Sequence, residues 1–192
     1  MLTEAPHFVL VTSPSEKQSR ELLRARILPF FQALDWPVPY KHAGAELIEL
    51  SNGSRCLALP DNERTNRGYT PQTLLIDEAA RVGDDLYVAM RPSLAKSQGS
   101  LIAASTPFGK IGWFFNAFHE ASHREKWHCI KVNAYEGGHD PAFLEDERLL
   151  LGESMFAQEY MAEFIDAQDA VFRHEDIMAS LDNQLEPLPL EN

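Results

Sequence analysis

Cysteine, basic charge and long apolar runs are all scarce in this 192-residue chain, and each shortage closes off a class of function. Two cysteines, Cys56 and Cys129, are too few for a disulfide framework or a cysteine-based zinc site, so both read as ordinary buried or half-buried thiols. No apolar run approaches the ~20 residues of a membrane span. The first residues also lack a basic stretch followed by an apolar one, so a cytoplasmic location is the default expectation. Lys and Arg number 17 against 29 Asp and Glu, for a formal net charge of −12. That balance argues against a dedicated non-specific DNA-binding domain, which would carry a basic stripe. It leaves room for a motor that touches DNA through a few local loops. Internal repeats and low-complexity tracts are missing as well. So is Gly-x-x-x-x-Gly-Lys-Ser/Thr, the loop that cradles nucleotide phosphates. The only Gly-Lys, Gly109-Lys110, lacks the first glycine because position 104 is Ala104, and neither Thr nor Ser follows.

What is present suits one good core with a small appended subdomain: 44% hydrophobic and 24% charged residues, ordinary for a globular protein. Phe8 to Thr12 reads as a buried strand. Ser13-Pro14-Ser15-Glu16 then predicts a helix start, with Ser13 capping, Pro14 at the first helical position and Glu16 closing a capping box. Leu22, Leu23, Ile27, Phe30, Phe31 and Leu34 recur at helical spacing until Trp36-Pro37. Glu46 to Leu50 and Arg55 to Leu59 flank Asn52-Gly53, a hairpin signal. Asp61 to Pro71 is a polar loop. A short helix is expected over Asp84 to Met90, a buried strand over Ser100 to Ala104, a helix over Lys110 to Ala121 and a strand over Trp127 to Val132. Asp140-Pro141 opens an acidic helix to about Leu151, Gly152 breaks it, and Ser154 to Phe164 resumes it. The tail from Leu185 is linker-like. Alternating strands and helices predict an α/β fold with a mostly parallel sheet.

The central stretch is Thr73-Leu74-Leu75-Ile76-Asp77-Glu78. A short, unalternating apolar run suits a strand covered on both faces. Two acids at its carboxyl end lie where open α/β sheets place ligands. In P-loop ATPases the first such acid holds Mg²⁺ and the second polarises the attacking water. A solvated turn with acids by chance is the plainer alternative. Ser105-Thr106-Pro107 ends the next strand, where hydroxyls either contact a γ-phosphate or satisfy loop backbone. Arg67-Gly68 precedes the acidic strand, where a guanidinium either stabilises developing phosphate charge or pairs with a surface acid.

Taken in order, Phe8-Val9-Leu10-Val11-Thr12, Asn52-Gly53-Ser54, Arg67-Gly68, Leu74-Leu75-Ile76-Asp77-Glu78-Ala79, Ser105-Thr106-Pro107-Phe108-Gly109 and Gln158-Glu159-Tyr160 resemble the large terminase subunit of tailed bacteriophages, over about residues 7 to 172. The resemblance implies an incomplete P-loop NTPase core of RecA/helicase-like type with a small C-terminal helical extension. It implies a partial ATPase core over 1–135, the helical extension over 136–172 and a linker or frayed tail over 173–192. Asp77 would coordinate Mg²⁺ as the Walker B acid and Glu78 would activate water. Ser105 and Thr106 would bind at the nucleotide and couple hydrolysis to motion. Arg67 would act as a trans-acting arginine finger. The complete protein would use ATP and Mg²⁺ to package double-stranded DNA in the cytoplasm of a bacterial host. Its partners would be a portal protein and a small terminase subunit, and its assembly a homo-oligomeric ring. Two departures stand out, the absent phosphate loop and the absence of a strand bearing nuclease carboxylates. They predict a chain that hydrolyses ATP poorly or not at all by itself.

Other readings compete. A helicase-like ATPase also carries Asp-Glu followed by a hydroxyl-rich element, although Ala79-Ala80 and Ser-Thr-Pro favour a terminase. A non-catalytic remnant or interaction module would explain the missing phosphate loop. His119, His123 and His128 invite a zinc reading, but need further ligands at fitting geometry. Trp113, Phe114, Phe115 and Phe118 read as core before they read as a base-stacking platform.

Overall fold

The computed structural model describes residues 6–35, 38–60, 62, 66–120, 126–166 and 180. Strand β1 (Phe8–Ser13) pairs in parallel with β4 (Arg55–Pro60) on one side and β5 (Thr73–Asp77) on the other. Strand β5 pairs in parallel with β6 (Ser100–Ala104). Strand β3 (Leu47–Leu50) runs antiparallel to β4, as the Asn-Gly signal predicts, and β2 (Tyr40–Ala43) antiparallel to β3. The sheet order is β2-β3-β4-β1-β5-β6. Strand β2 has no hydrophobic signal in the sequence, because it is an exposed edge whose Lys41 and His42 face water.

Three contiguous helical pieces follow β1: α1 (Glu16–Glu21), a π-helical turn (Leu22–Ile27) and α2 (Leu28–Ala33). They bring Leu23 and Phe31 against Val11, Ile48, Leu50, Cys56 and Ala58, the buried cluster on one face of the sheet. Each large aliphatic or aromatic side chain there contributes about 1.5–3 kcal/mol by leaving water. Side chains alternate along a strand, so Leu10, Leu74 and Ile76, all fully buried, belong to the opposite face. Helix α3 (Asp84–Ser97) joins the adjacent parallel strands β5 and β6 and buries Leu86, Ala89, Met90 and Leu94. Helix α4 (Gly112–His119) packs on α3 and on the 3₁₀ turn Ala79–Arg81. There the Trp113 indole N–H donates to the Val82 carbonyl at 3.0 Å, and its ring stacks on Tyr87 at 4.7 Å.

Several expectations are corrected. The cap of α1 is Ser15, whose Oγ accepts from the Gln18 amide at 3.3 Å. Ser13 instead ends β1, paired in register with Pro60, and its hydroxyl meets that of Ser19 at 2.7 Å. Helix α3 runs on from Met90 to Ser97 through Pro92, which is exposed together with Val88, four residues earlier. The carbonyl that Pro92 leaves unbonded can therefore reach water. Helix α4 starts at Gly112 rather than Lys110, because Gly109 and Gly112 hold φ of 70° and 81°. Residues 127–132 form no strand. Trp36, Pro37 and Ala121 lie outside the described residues, as does the tail over 173–192 apart from Ser180.

The chain divides into two compact units, Met1–Pro107 with Ile111–Lys131, and Phe108–Lys110 with Val132–Asn192. In the second, α5 (Pro141–Glu159) is capped by Asp140, which accepts from the Ala142 amide at 3.0 Å. Gly152, at φ 76°, kinks α5 as the sequence predicts, and the helix stops at Glu159, before Phe164. Among the described residues no helix is long and apolar enough to cross a membrane.

Candidate active site

The parallel strands β4, β1, β5 and β6 all end on one edge of the sheet, with Pro60, Ser13, Asp77 and Ala104 as their last residues. Asp77 is in register with Ala104, so Ser105 lies one residue beyond the partner of Asp77. The half-buried Asp77 contributes to a cavity of about 460 Å³, shared with Gln18, Glu21, Leu22, Ala25 and Arg26. The π-helical turn thus lines the space beside the acid. Glu78 has φ 51° and ψ 42°, a left-handed conformation that costs a non-glycine residue roughly 1–3 kcal/mol. This turn stops the strand at the acid pair and sends the chain into Ala79–Arg81. Arg81 Nε lies 3.7 Å from Glu78 Oε2, with both side chains over a third exposed. A pair that long and that wet holds the carboxylate weakly.

Ser105 and Thr106 follow β6, both half-buried. The Ser105 hydroxyl donates to the Thr106 carbonyl at 2.6 Å, so in this state it satisfies loop backbone. Arg67 is exposed in the turn that follows Asn66. Asp77, Glu78, Ser105 and Thr106 therefore belong to one edge, whereas Arg67 stands on the loop that leads from β4 to β5.

Sequence reasoning missed two residues here. Asn66 is fully buried, donates from Nδ2 to the Pro60 carbonyl at 3.0 Å, and accepts the Tyr69 amide on its own backbone carbonyl at 3.1 Å. It ties the Arg67–Gly68 turn to the carboxyl end of β4. Its Oδ1, like the buried Oγ1 of Thr12 near the end of β1, has no hydrogen-bond partner among the described residues. An orphaned buried oxygen costs about 1–3 kcal/mol. The available signal was a polar residue closing a hydrophobic strand, for Thr12, and an asparagine directly before the arginine, for Asn66.

Mg²⁺ takes oxygen ligands and is commonly held by one or two carboxylates, with phosphates and water completing its shell. Asp77 with Glu78 fits that mode. Among the described residues no group of three or more His, Cys, Asp or Glu could hold a metal alone. The triphosphate grip is only partly met. Lys110, the one lysine that follows a glycine, is in an ion pair with Asp166 at 2.9 Å inside the second unit. The zinc reading finds no support, since His119 stacks on Phe115 at 4.4 Å, His128 is exposed and His123 lies outside the described residues. Trp113, Phe114 and Phe115 are core. Cys56 is buried, and desolvation pushes its thiol up to about 12, which leaves it inert; Cys129 is exposed.

The family model for the large terminase subunit, T4likevirus-type, N-terminal, matches residues 8–179. No curated protein matches the chain. Among solved structures, the large terminase ATPase domain of Thermus phage P74-26 superposes with a TM-score of 0.69 at 18% identity, over 85% of this chain and 79% of that one. The large terminase of a second, thermophilic bacteriophage, in complex with ADP, gives a TM-score of 0.70 at 9% identity, over 85% of this chain and 42% of that one. This chain thus spans less than half of that protein. At such identities the superpositions speak for the fold, an α/β architecture shared with terminase ATPase domains, while the match over residues 8–179 speaks for descent. The chain belongs to the large terminase subunit family and corresponds to its N-terminal part.

Proposed function

We propose that this chain is the portion of an ATP-driven DNA-packaging motor that holds the hydrolytic end of the nucleotide. The observation that carries the proposal is Asp77 at the carboxyl end of β5, followed by the left-handed Glu78, with Ser105 and Thr106 directly after the neighbouring end of β6. Asp77 holds Mg²⁺ directly or through water, and bound Mg²⁺ neutralises charge on the transferred phosphoryl group. Glu78 accepts a proton from the attacking water, its carboxylate restrained by the long contact to Arg81. Ser105 exchanges its bond to the Thr106 carbonyl for one to phosphate or water, and Ser105 with Thr106 passes that change into the loop that follows. Arg67, on its exposed turn, serves nucleotide bound by a neighbouring subunit in a ring. Double-stranded DNA, a portal protein and a small terminase subunit are the partners of the assembled motor. The ADP held by the thermophilic phage terminase supports a nucleotide as the ligand. The net charge of −12 means that DNA is touched through local loops rather than a broad basic face.

The test joins this chain to a phosphate-loop segment of the family and measures Mg²⁺-dependent phosphate release. Glu78→Gln is expected to lower turnover by at least ~10²-fold, the scale of lost general-base catalysis, while nucleotide binding persists. Turnover by Glu78→Gln at the parental rate would remove Glu78 from its role. Failure of the joined parental protein to hydrolyse would favour the non-catalytic module.

A further inference from the structure

The chemistry of the carboxyl edge leaves the burial of Asn66 unexplained. The side chain is fully enclosed, yet its Oδ1 has no hydrogen-bond partner among the described residues. At that depth an apolar residue would avoid the unpaired oxygen, so the reason for an asparagine lies in its other atoms. Nδ2 donates to the carbonyl of Pro60, the last residue of β4, at 3.0 Å. The main chain of Asn66 closes a turn on either side: its amide donates to the Asn62 carbonyl at 2.9 Å, and its carbonyl accepts the Tyr69 amide at 3.1 Å. Arg67 and Gly68, the two residues enclosed by the second turn, are both exposed.

This turn is fastened to opposite ends of the sheet. Pro60 is in register with Ser13, and Asp77 follows Ile76, the partner of Thr12. The Pro60 anchor therefore stands on the carboxyl edge, two strand spacings or roughly 10 Å from the end of β5. Tyr69 is held at the amino edge, where its ring meets that of Phe8, the first residue of β1, edge-on at 5.8 Å. Gln72 follows it there, its amide donating to the Phe8 carbonyl at 2.9 Å and its Oε1 accepting the Phe8 amide at 2.7 Å. Between residues 66 and 72 the chain thus travels from the edge that carries the site to the opposite one, and Nδ2 of Asn66 fastens the Arg67 turn to the first.

We infer that Asn66 is a positioning residue for Arg67. Its bond to the end of β4 sets the direction in which the guanidinium leaves the carboxyl edge, towards nucleotide held by a neighbouring subunit. Being buried, Asn66 touches no reactant and acts through the arginine alone. An alanine in its place keeps the Tyr69 end of the turn on Phe8 and releases the Arg67 end, so the guanidinium is present but misdirected. This inference rests on the reading of Arg67 as serving a neighbour's nucleotide.

The experiment is a double-substitution cycle in rings of the joined protein. Asn66→Ala is expected to lower kcat by ~10- to 10²-fold with KM for ATP unchanged, the scale of a misplaced group that acts in the transition state. Arg67→Ala is expected to lower it by ~10³-fold or more. In the Arg67→Ala background Asn66→Ala should then change nothing further, because no guanidinium is left to direct. Loss by the same factor in both backgrounds would overturn the inference, by making Asn66 a support of the fold alone. So would parental turnover by Asn66→Ala where Arg67→Ala is slow, a result that leaves Arg67 in its role. Parental turnover by Arg67→Ala would instead remove the reading of Arg67, and the inference with it. A second measurement, amide exchange in this chain alone, needs no hydrolysis. Asn66→Ala should speed exchange of the Tyr69 amide by at least ~10-fold while the Leu74 amide, inside the sheet, stays protected. Unchanged exchange at Tyr69, or an equal loss at Leu74, would overturn the inference.

Discussion

Glu78 and Gln98 adopt almost the same backbone conformation, φ 51° and 52°, for different reasons. Gln98 ends α3 at the position where glycine is favoured, its amide bonding back to Ala95 and Leu94. Glu78 ends a strand at the site, where glycine would relieve the same strain but remove the carboxylate. Gln98→Gly and Glu78→Gly should each stabilise the chain by about 1 kcal/mol, read as a higher denaturant midpoint at constant slope. In the joined protein only Glu78→Gly should lose turnover. Loss of turnover by both would mean that the readout is fold integrity. At this scale the acids themselves were legible, because an apolar run that stops at two adjacent carboxylates is a local pattern. The left-handed turn at Glu78 was not, since glutamate carries no preference for it, nor was the burial of Asn66, which depends on where the Pro60 carbonyl lies.

Strands and helices were legible wherever their signal was short-range. The hairpin of β3 and β4, the apolar runs of β1, β5 and β6 and the kink at Gly152 all follow from residues within a few positions of one another. The start of α1 shows the limit. Ser13 and Ser15 both satisfy the local rule for a cap, and pairing with β4, far along the chain, claims Ser13 for the strand. Ser15→Ala should therefore destabilise the chain by about 1 kcal/mol through loss of the cap to Gln18. Ser13→Ala acts by a different route, removing the buried hydroxyl contact to Ser19 and the hydroxyl's donation to the Ser15 carbonyl, while the Ser15 Oγ cap on the Gln18 amide stays in place. Measured midpoints, with far-ultraviolet helicity at low denaturant, separate the two, because fraying of the first turn belongs to Ser15→Ala alone. Residues 127–132 fail in the opposite sense. Their composition favours a strand, but a strand exists only where a neighbour accepts its hydrogen bonds, and none is described there.

For the whole molecule, order in the sequence told more than any single motif. The succession of strand, loop arginine, acid pair and hydroxyl turn carried the resemblance that the match over residues 8–179 bears out. What local residues could not reveal was the arrangement of neighbours, with β1 between β4 and β5, since parallel pairing joins segments far apart in the chain. Assembly gives the prediction that belongs here. In rings of the joined protein that mix Arg67→Ala with parental subunits, turnover should fall more steeply than the fraction of variant subunits, and assembly itself should be unchanged by sedimentation. A fall strictly in proportion would mean that Arg67 acts within its own subunit or not at all.

The two margins of the sheet are unlike. At β2 the strand is short, its pairing slips between Tyr40 and His42, and Lys41 faces Glu49 across it at 3.8 Å, so further strands find no regular ladder to join. At β6 a regular edge stands ready. In the language of polymer chemistry the sheet of the described residues is monofunctional. Joining two copies through that sheet consumes the one regular edge of each, so growth by this route terminates at a pair and does not propagate into a fibre.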